Sequence, residues 1–177
     1  GICLITIIAQ VFWCFGLHGA SITQPVRLPF MQMYLAANLA AYTAGEAIPY
    51  TFVQPFWSYI ITLGGGGATF GLCLLLLRSK SKQLKTLGRL SIGPAIFNIN
   101  EPIIFGLPIV LNPILVIPFI LSPIVSMGLG ALMISTGLVL PGTLDVGWTT
   151  PQPIKAFLSA SGSWETAISV CFVFIII

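Results

Sequence analysis

Charge is what this sequence most lacks. Of its 177 residues only 6% are charged, against roughly 25% in soluble domains. Acids are fewest: Glu46, Glu101, Asp145 and Glu165 are all there are, beside a single histidine, His18. Such a chain cannot clothe a soluble globule in solvated side chains. Its net charge of +3 comes mostly from one segment, which speaks to topology and excludes nucleic acid as a partner. The four cysteines, Cys3, Cys14, Cys73 and Cys171, form no C-x-x-C pair and have none of the clustering that disulfide frameworks or metal sites need. They read as small apolar packing residues, and no metal is expected. Walker loops, dinucleotide-binding glycines, H-E-x-x-H and a catalytic serine triad are likewise missing. "GGGGATFG" mimics a phosphate loop but lacks its Lys-Ser/Thr and sits in an apolar run, so no cofactor is expected. A secretory leader would need a basic start and a small-residue cleavage site, and neither occurs.

What is abundant is apolar side chain, 56% of the chain. The expected fold class is therefore an all-α integral membrane protein. Crossing a bilayer takes about 20 apolar residues per helix, and "GICLITIIAQVFWCFGLHGA" opens as one such span. Residues 21–30 turn polar and proline-containing, followed by a helix over 31–43. "FVQPFWSYIITLGGGGATFGLCLLLL" reads as a single spanning helix with Gly64 to Gly67 in its middle, serving either close packing or a hinge. Arg78 to Arg89 holds five of the seven basic residues and no acid, which predicts a cytoplasmic loop. Residues 90–140 are apolar yet carry Pro94, Pro102, Pro108, Pro113, Pro118 and Pro123. Prolines at that density forbid one long regular helix, and broken backbone in lipid persists only where protein or a watery cavity receives it. Re-entrant helical hairpins followed by a span are expected there, then a long polar connection over 141–166, and a further span beginning at 167. The absence of an initiator methionine and of polar ends suggests a segment of a longer membrane protein.

Polar groups inside this apolar text are the candidate site. "FNINEPIIFGLPI" places Glu101 among Asn98, Asn100 and helix-disturbing Pro102, Gly106 and Pro108. An ionisable group at membrane depth usually faces a cavity or pathway. Amides, freed carbonyls and a carboxylate together suit a hydroxyl-rich ligand; the bland alternative is a protonated or headgroup-level carboxylate. His18 lies near Gly16 and Gly19, which clear side chains from around its ring; packing is the alternative. Trp148, in "DVGWTTPQP", is either an interfacial anchor or an aromatic face for a sugar ring. Glu46 reads as structural or rim, and Lys155 and Glu165 as solvated loop charges.

The strings "FWCFGLHG", "QPFWSYIITLGGGGATFGL" and above all "FNINEPIIFGLPIVLNPILVIPFILSPIV" resemble the membrane subunit, enzyme IIC, of the phosphoenolpyruvate-dependent sugar phosphotransferase system. The likeness is to the lactose, cellobiose and diacetylchitobiose branch and to its C-terminal half, with the N-terminal half absent. It implies one sugar-binding transport domain over residues 1–177, in a multi-pass protein of the bacterial plasma membrane surrounded by lipid. A disaccharide would be held in an occluded site and phosphorylated on its 6-hydroxyl by the phosphocysteine of phosphorylated enzyme IIB. The four cysteines of this chain would then carry no phosphate, and the full-length form would be a homodimer. By the same resemblance Glu101 and His18 are the catalytic residues, and Glu101, His18, Asn98, Asn100 and Trp148 bind substrate. Arg27 and Ser58 depart from the family pattern and bear on which sugar is taken. An ion-coupled sugar symporter and a non-transporting membrane scaffold are the rival readings.

Overall fold

The computed structural model describes residues 1–176, with side chains through residue 173. Ile177, the last residue of the expected final span, lies outside the described residues. Every element among those described is helical. α1 covers Ile2–Cys14, α2 Gly19–Ala44, and α3 Gln54–Phe56, which continues as a π-helical turn over Trp57–Ile61. A 3-10 turn at Gly66–Ala68 leads into α4, Phe70–Leu77. α5 (Lys82–Ile96), α6 (Glu101–Gly106), α7 (Pro113–Ser135), α8 (Gln152–Ser159) and α9 (Trp164–Ile176) complete the order.

The first expectation to fall is the polar break at 21–30, because α2 runs straight through it. Pro25 and Pro29 lie inside the helix, although each removes an intrahelical donor at a cost of about 3 kcal/mol. Tertiary burial overrides that cost. Thr23, Arg27, Met31, Leu35 and Asn38 recur at helical spacing and are all buried. Arg27 donates to Gln54 Oε1 at 2.7 Å and lies 4.0 Å over the Trp57 ring, so the polar letters of this stretch face a partner.

The single helix expected over 52–77 is also corrected. Its two halves are bent by 47°, and Gly64, Gly65 and Gly67 adopt positive φ between them. Gly65, at φ +96, has Asn100 pressed against it so closely that a Cβ would lie 2.4 Å from the amide carbon. The glycines make a turn rather than a helix interior, and the close packing expected of them is present, since a Cβ on Gly66 or Gly67 would also run into Trp13 or Phe119.

The basic segment is mostly helix instead of loop. Ser81 caps α5, its side chain accepting from Leu84 N–H at 3.5 Å, and α5 folds back on α4 with Gly88 against the Leu77 backbone. Arg78, Lys80, Lys82, Lys85 and Arg89 are exposed. Residues 90–140 divide as proline density requires. α5 ends just after Pro94, the short α6 follows, and Pro113 opens α7 at its first position, where a missing N–H costs nothing. Leu111 N–H donates to Cys14 C=O at 3.0 Å, tying the exit of α6 to the end of α1.

Residues 141–166 are no simple polar connection, since α8 forms there and buries Gln152, Lys155, Ala156 and Ser159. Lys155, expected as a solvated charge, is 1% exposed; Glu165, at the start of α9, is on the surface as expected. Cys14 and Cys73 are buried and Cys171 half-buried, whereas Cys3 is exposed. Glu46 is exposed just past the Gly45 cap. Two apolar clusters hold the helices. One joins Phe56, Tyr59, Ile60 and Ile61 to Met31, Leu35, Ala156 and Val170; the other joins Trp13, Cys73, Ile103, Ile104 and Phe119. Among the described residues, α7 is the helix long and apolar enough by itself to cross a bilayer, and the bent pair 54–77 qualifies jointly.

Candidate functional site

His18 is placed by a close approach of two helices. A Cβ on Gly19 would stand 1.7 Å from the Ala9 carbonyl oxygen, so only glycine lets α2 start against α1 here. His18 is then the N-cap of α2. Its Nδ1 accepts from Ser21 N–H at 3.2 Å and meets Ser21 Oγ at 2.8 Å. Because Nδ1 offers a lone pair to a backbone donor, the proton of the neutral ring belongs on Nε2. The Trp13 ring lies 4.4 Å away, tilted by 51°.

Glu101 is the first residue of α6. It follows a turn in which Asn98 takes a positive φ of 63°, a conformation asparagine tolerates better than most side chains. Glu101 Oε1 stands 3.7 Å from His18 Nε2, with the two side chains 39% and 48% exposed. That gap is too wide for a direct hydrogen bond. A hydroxyl seated beside the pair would accept from Nε2–H and donate to the carboxylate.

Both residues line a cavity of about 270 Å³, near the lower end of small-ligand sites. Trp13, Arg27, Gln24, Gln54, Trp57 and Trp148 share its wall. The Trp13 indole N–H is buried without a protein partner, and Trp148 is 61% exposed. All five sequence-predicted residues, Glu101, His18, Asn98, Asn100 and Trp148, border this one cavity. The amide donors of the asparagines are engaged in scaffolding. Asn98 Nδ2 donates to the carbonyls of Trp148 and Thr150, both at 2.9 Å, and its Oδ1 accepts from Gln152 at 2.7 Å. Asn100 Nδ2 donates to Gly66 C=O and, at 2.7 Å, to Thr69 Oγ1, fastening the α6 start to the glycine turn.

Sequence reading missed Trp13, Gln24, Gln54 and Trp57 as cavity residues. Arg27 was visible only as an odd charge in an apolar chain. Lys155 was misplaced altogether. Its Nζ donates to the Trp148 carbonyl at 2.7 Å and the Ser58 carbonyl at 3.3 Å. It belongs to the segment linking α7 and α9, outside the apolar helices, where burial lowers its amine to about 8 against the opposing pull of Asp145. Among the described residues no group of three potential metal ligands converges.

Residues 1–123 match the family model described as "Phosphotransferase system, EIIC". The lichenan permease IIC component of Bacillus subtilis (strain 168) is 45% identical over 163 residues, 91% of this chain and 36% of its own length. The oligo-beta-mannoside-specific EIIC component of the same organism is 41% identical over 173 residues, 94% of this chain and 39% of its own. The crystal structure of ChbC, the IIC component of the N,N'-diacetylchitobiose-specific phosphotransferase system, superposes with a TM-score of 0.95 at 39% identity. It is matched over 99% of this chain and 41% of its own length. The chain thus spans about two fifths of the length of these relatives, and it belongs to the EIIC family of phosphotransferase-system membrane transporters.

Proposed function

We propose that this domain is the sugar-holding part of a phosphotransferase-system transporter, and that its cavity takes a disaccharide of the cellobiose, chitobiose or lactose type. The observation that carries the reading is the Glu101–His18 pair, 3.7 Å apart, on the wall of a cavity lined by amides and indoles. The carboxylate, the imidazole and the Gln24 amide on the same wall match a polyol's alternating donors and acceptors, and the exposed Trp148 side chain offers an apolar face for a pyranose to stack upon. Relatives whose names specify lichenan, oligo-beta-mannosides and N,N'-diacetylchitobiose support a saccharide ligand.

In this reading the sugar is occluded in the membrane and its 6-hydroxyl lies beside Glu101. Phosphoryl transfer asks mainly for positioning and for charge stabilisation. Glu101 accepts the hydroxyl proton as the sugar oxygen bonds to phosphorus. The sulfur–phosphorus bond of the enzyme IIB phosphocysteine breaks, and the thiolate departs. His18, donating from Nε2, holds the same hydroxyl. The basic face Arg78 to Arg89 is cytoplasmic and meets enzyme IIB. The 51–77 and 90–112 segments act as re-entrant hairpins in a multi-pass bacterial plasma-membrane protein, homodimeric at full length.

The test uses membrane vesicles holding the full-length protein, radiolabelled cellobiose and phosphorylated enzyme IIB. Sugar phosphate should accumulate with wild type, and Glu101→Gln should abolish it while the protein stays folded. Free sugar driven by a proton gradient would establish a symporter instead, and a complete lack of uptake a scaffold. Wild-type phosphorylation by Glu101→Gln would remove Glu101 from the mechanism.

A further inference from the structure

Lys155 is a buried cation with no ion pair in contact among the described residues, Asp145 acting on it only from a distance. It is 1% exposed, and among the described residues the only ion pair is His18 with Glu101. A buried charge of this kind is costly, and apolar replacements of buried ionic groups are often neutral or stabilising. Stability therefore does not account for it, and its two acceptors suggest what does. One is the carbonyl of Trp148 and the other the carbonyl of Ser58, within the π-helical turn. The Trp148 carbonyl is gripped a second time by Asn98 Nδ2. Gln152, one helical turn before Lys155, joins Asn98 Oδ1 to the carbonyls of Ser58 at 3.3 Å and Thr62 at 3.2 Å. An exposed indole on an irregular segment has little to fix it except its backbone, and here that backbone is held from two sides.

We infer that Lys155 is a positioning residue for ligand recognition: through the Trp148 carbonyl it sets the indole against the cavity, and through Ser58 it ties that indole to the π-helical turn, which borders the same cavity. This rests on the reading of the cavity as a saccharide site. The charge is retained because an ammonium donates to two carbonyls on separate segments at once, which an apolar side chain of equal length cannot do.

The experiment measures binding of cellobiose and of N,N'-diacetylchitobiose to the detergent-solubilised full-length protein, together with its thermal unfolding. Lys155→Met should weaken the better-bound sugar about tenfold while the melting temperature holds or rises. A purely structural lysine would behave oppositely, with a lower melting temperature and unchanged affinity in the folded fraction, and that result overturns the inference. In a Trp148→Ala background Lys155→Met should have no further effect on affinity, since coupled sites are non-additive; additive losses refute the proposal. Should Lys155→Met not fold, Lys155→Gln, which keeps N–H donors on a shorter side chain, enters the same cycle: a smaller affinity loss that vanishes in the Trp148→Ala background supports the proposal, and an additive loss or none refutes it. Glu101→Gln separates the two levels of reading. If it too binds both sugars as wild type does, the saccharide site itself is wrong. If it loses binding while Lys155→Met keeps it, only the role of Lys155 falls.

Discussion

Replacing Gly19 with alanine adds one methyl group where two backbones touch. Helix propensity alone favours the change by at most about 1 kcal/mol, and by less at the first position of the helix, where Gly19 stands. The sterics oppose it. The new Cβ would sit 1.7 Å from the Ala9 oxygen, 2.6 Å from its carbonyl carbon and 2.9 Å from its Cα. All three are main-chain atoms of α1 and cannot rotate away as a side-chain tip would. Restoring ordinary contact of about 3.3 Å requires the helices to separate by about 1.5 Å, beyond what core overpacking at 1–3 kcal/mol usually demands. Gly128 supplies the control: it lies in α7, and a Cβ there would meet nothing within 4 Å. Gly128→Ala should be neutral or stabilising by up to about 1 kcal/mol, whereas Gly19→Ala should destabilise by about 2 kcal/mol or more. Because His18 adjoins the clash, saccharide affinity should fall as well. Thermal unfolding and isothermal titration calorimetry on the two purified full-length variants check both parts. Equal melting temperatures for the pair, with wild-type affinity in Gly19→Ala, would refute the account of how His18 is placed.

Two further outcomes follow from the same geometry. Asn100→Ala removes the donors that hold Gly66 C=O and Thr69 Oγ1, leaving buried acceptors unpaired at about 1–3 kcal/mol. The melting temperature should drop, and phosphorylation should fall more than sugar binding, because the neighbouring Glu101 is loosened. Lys155 predicts a pH dependence. Its amine falls from 10.5 to about 8 on folding, so between those values the unfolded chain binds more protons and stability rises with pH. At about 1.4 kcal/mol per pH unit the full window amounts to roughly 3 kcal/mol. Melting of wild type in detergent should therefore rise from pH 8 to 9.5 relative to Lys155→Met, and parallel profiles would show the amine to be unperturbed.

Glu101 and His18 were legible as site candidates because an acid and an imidazole stand out in apolar text, whereas Trp148, in a polar stretch, read equally as an interfacial anchor and joined them through the family resemblance. Trp13 and Trp57 were not, since an indole within a hydrophobic run reads as core until the fold shows which edge faces a void. The helix over 21–30 was hidden by its prolines and by Arg27. Only the partners Gln54 and Trp57, 27 and 30 residues away, explain why Arg27 is tolerated there. The glycine run announced an irregularity, but its character as a turn depends on Asn100, whose side chain fills the space a Cβ would need. Lys155 misled most. No local signal marks a lysine in a polar segment as buried when its acceptors are carbonyls from Ser58 and Trp148.

The ring that faces the cavity is also the peg on which the longest helix is hung. α2 begins at Gly19, capped by His18, and runs 26 residues, about 39 Å at 1.5 Å per residue. Anything that turns the imidazole tugs on the Ser21 amide in the first turn of that rod, and a tilt of about 5° there swings the far end by about 3 Å. In the last two turns of α2 Asn38 clasps the backbone of Tyr50 and Gly142, so a small event at one hydroxyl is geometrically magnified before it reaches that clasp.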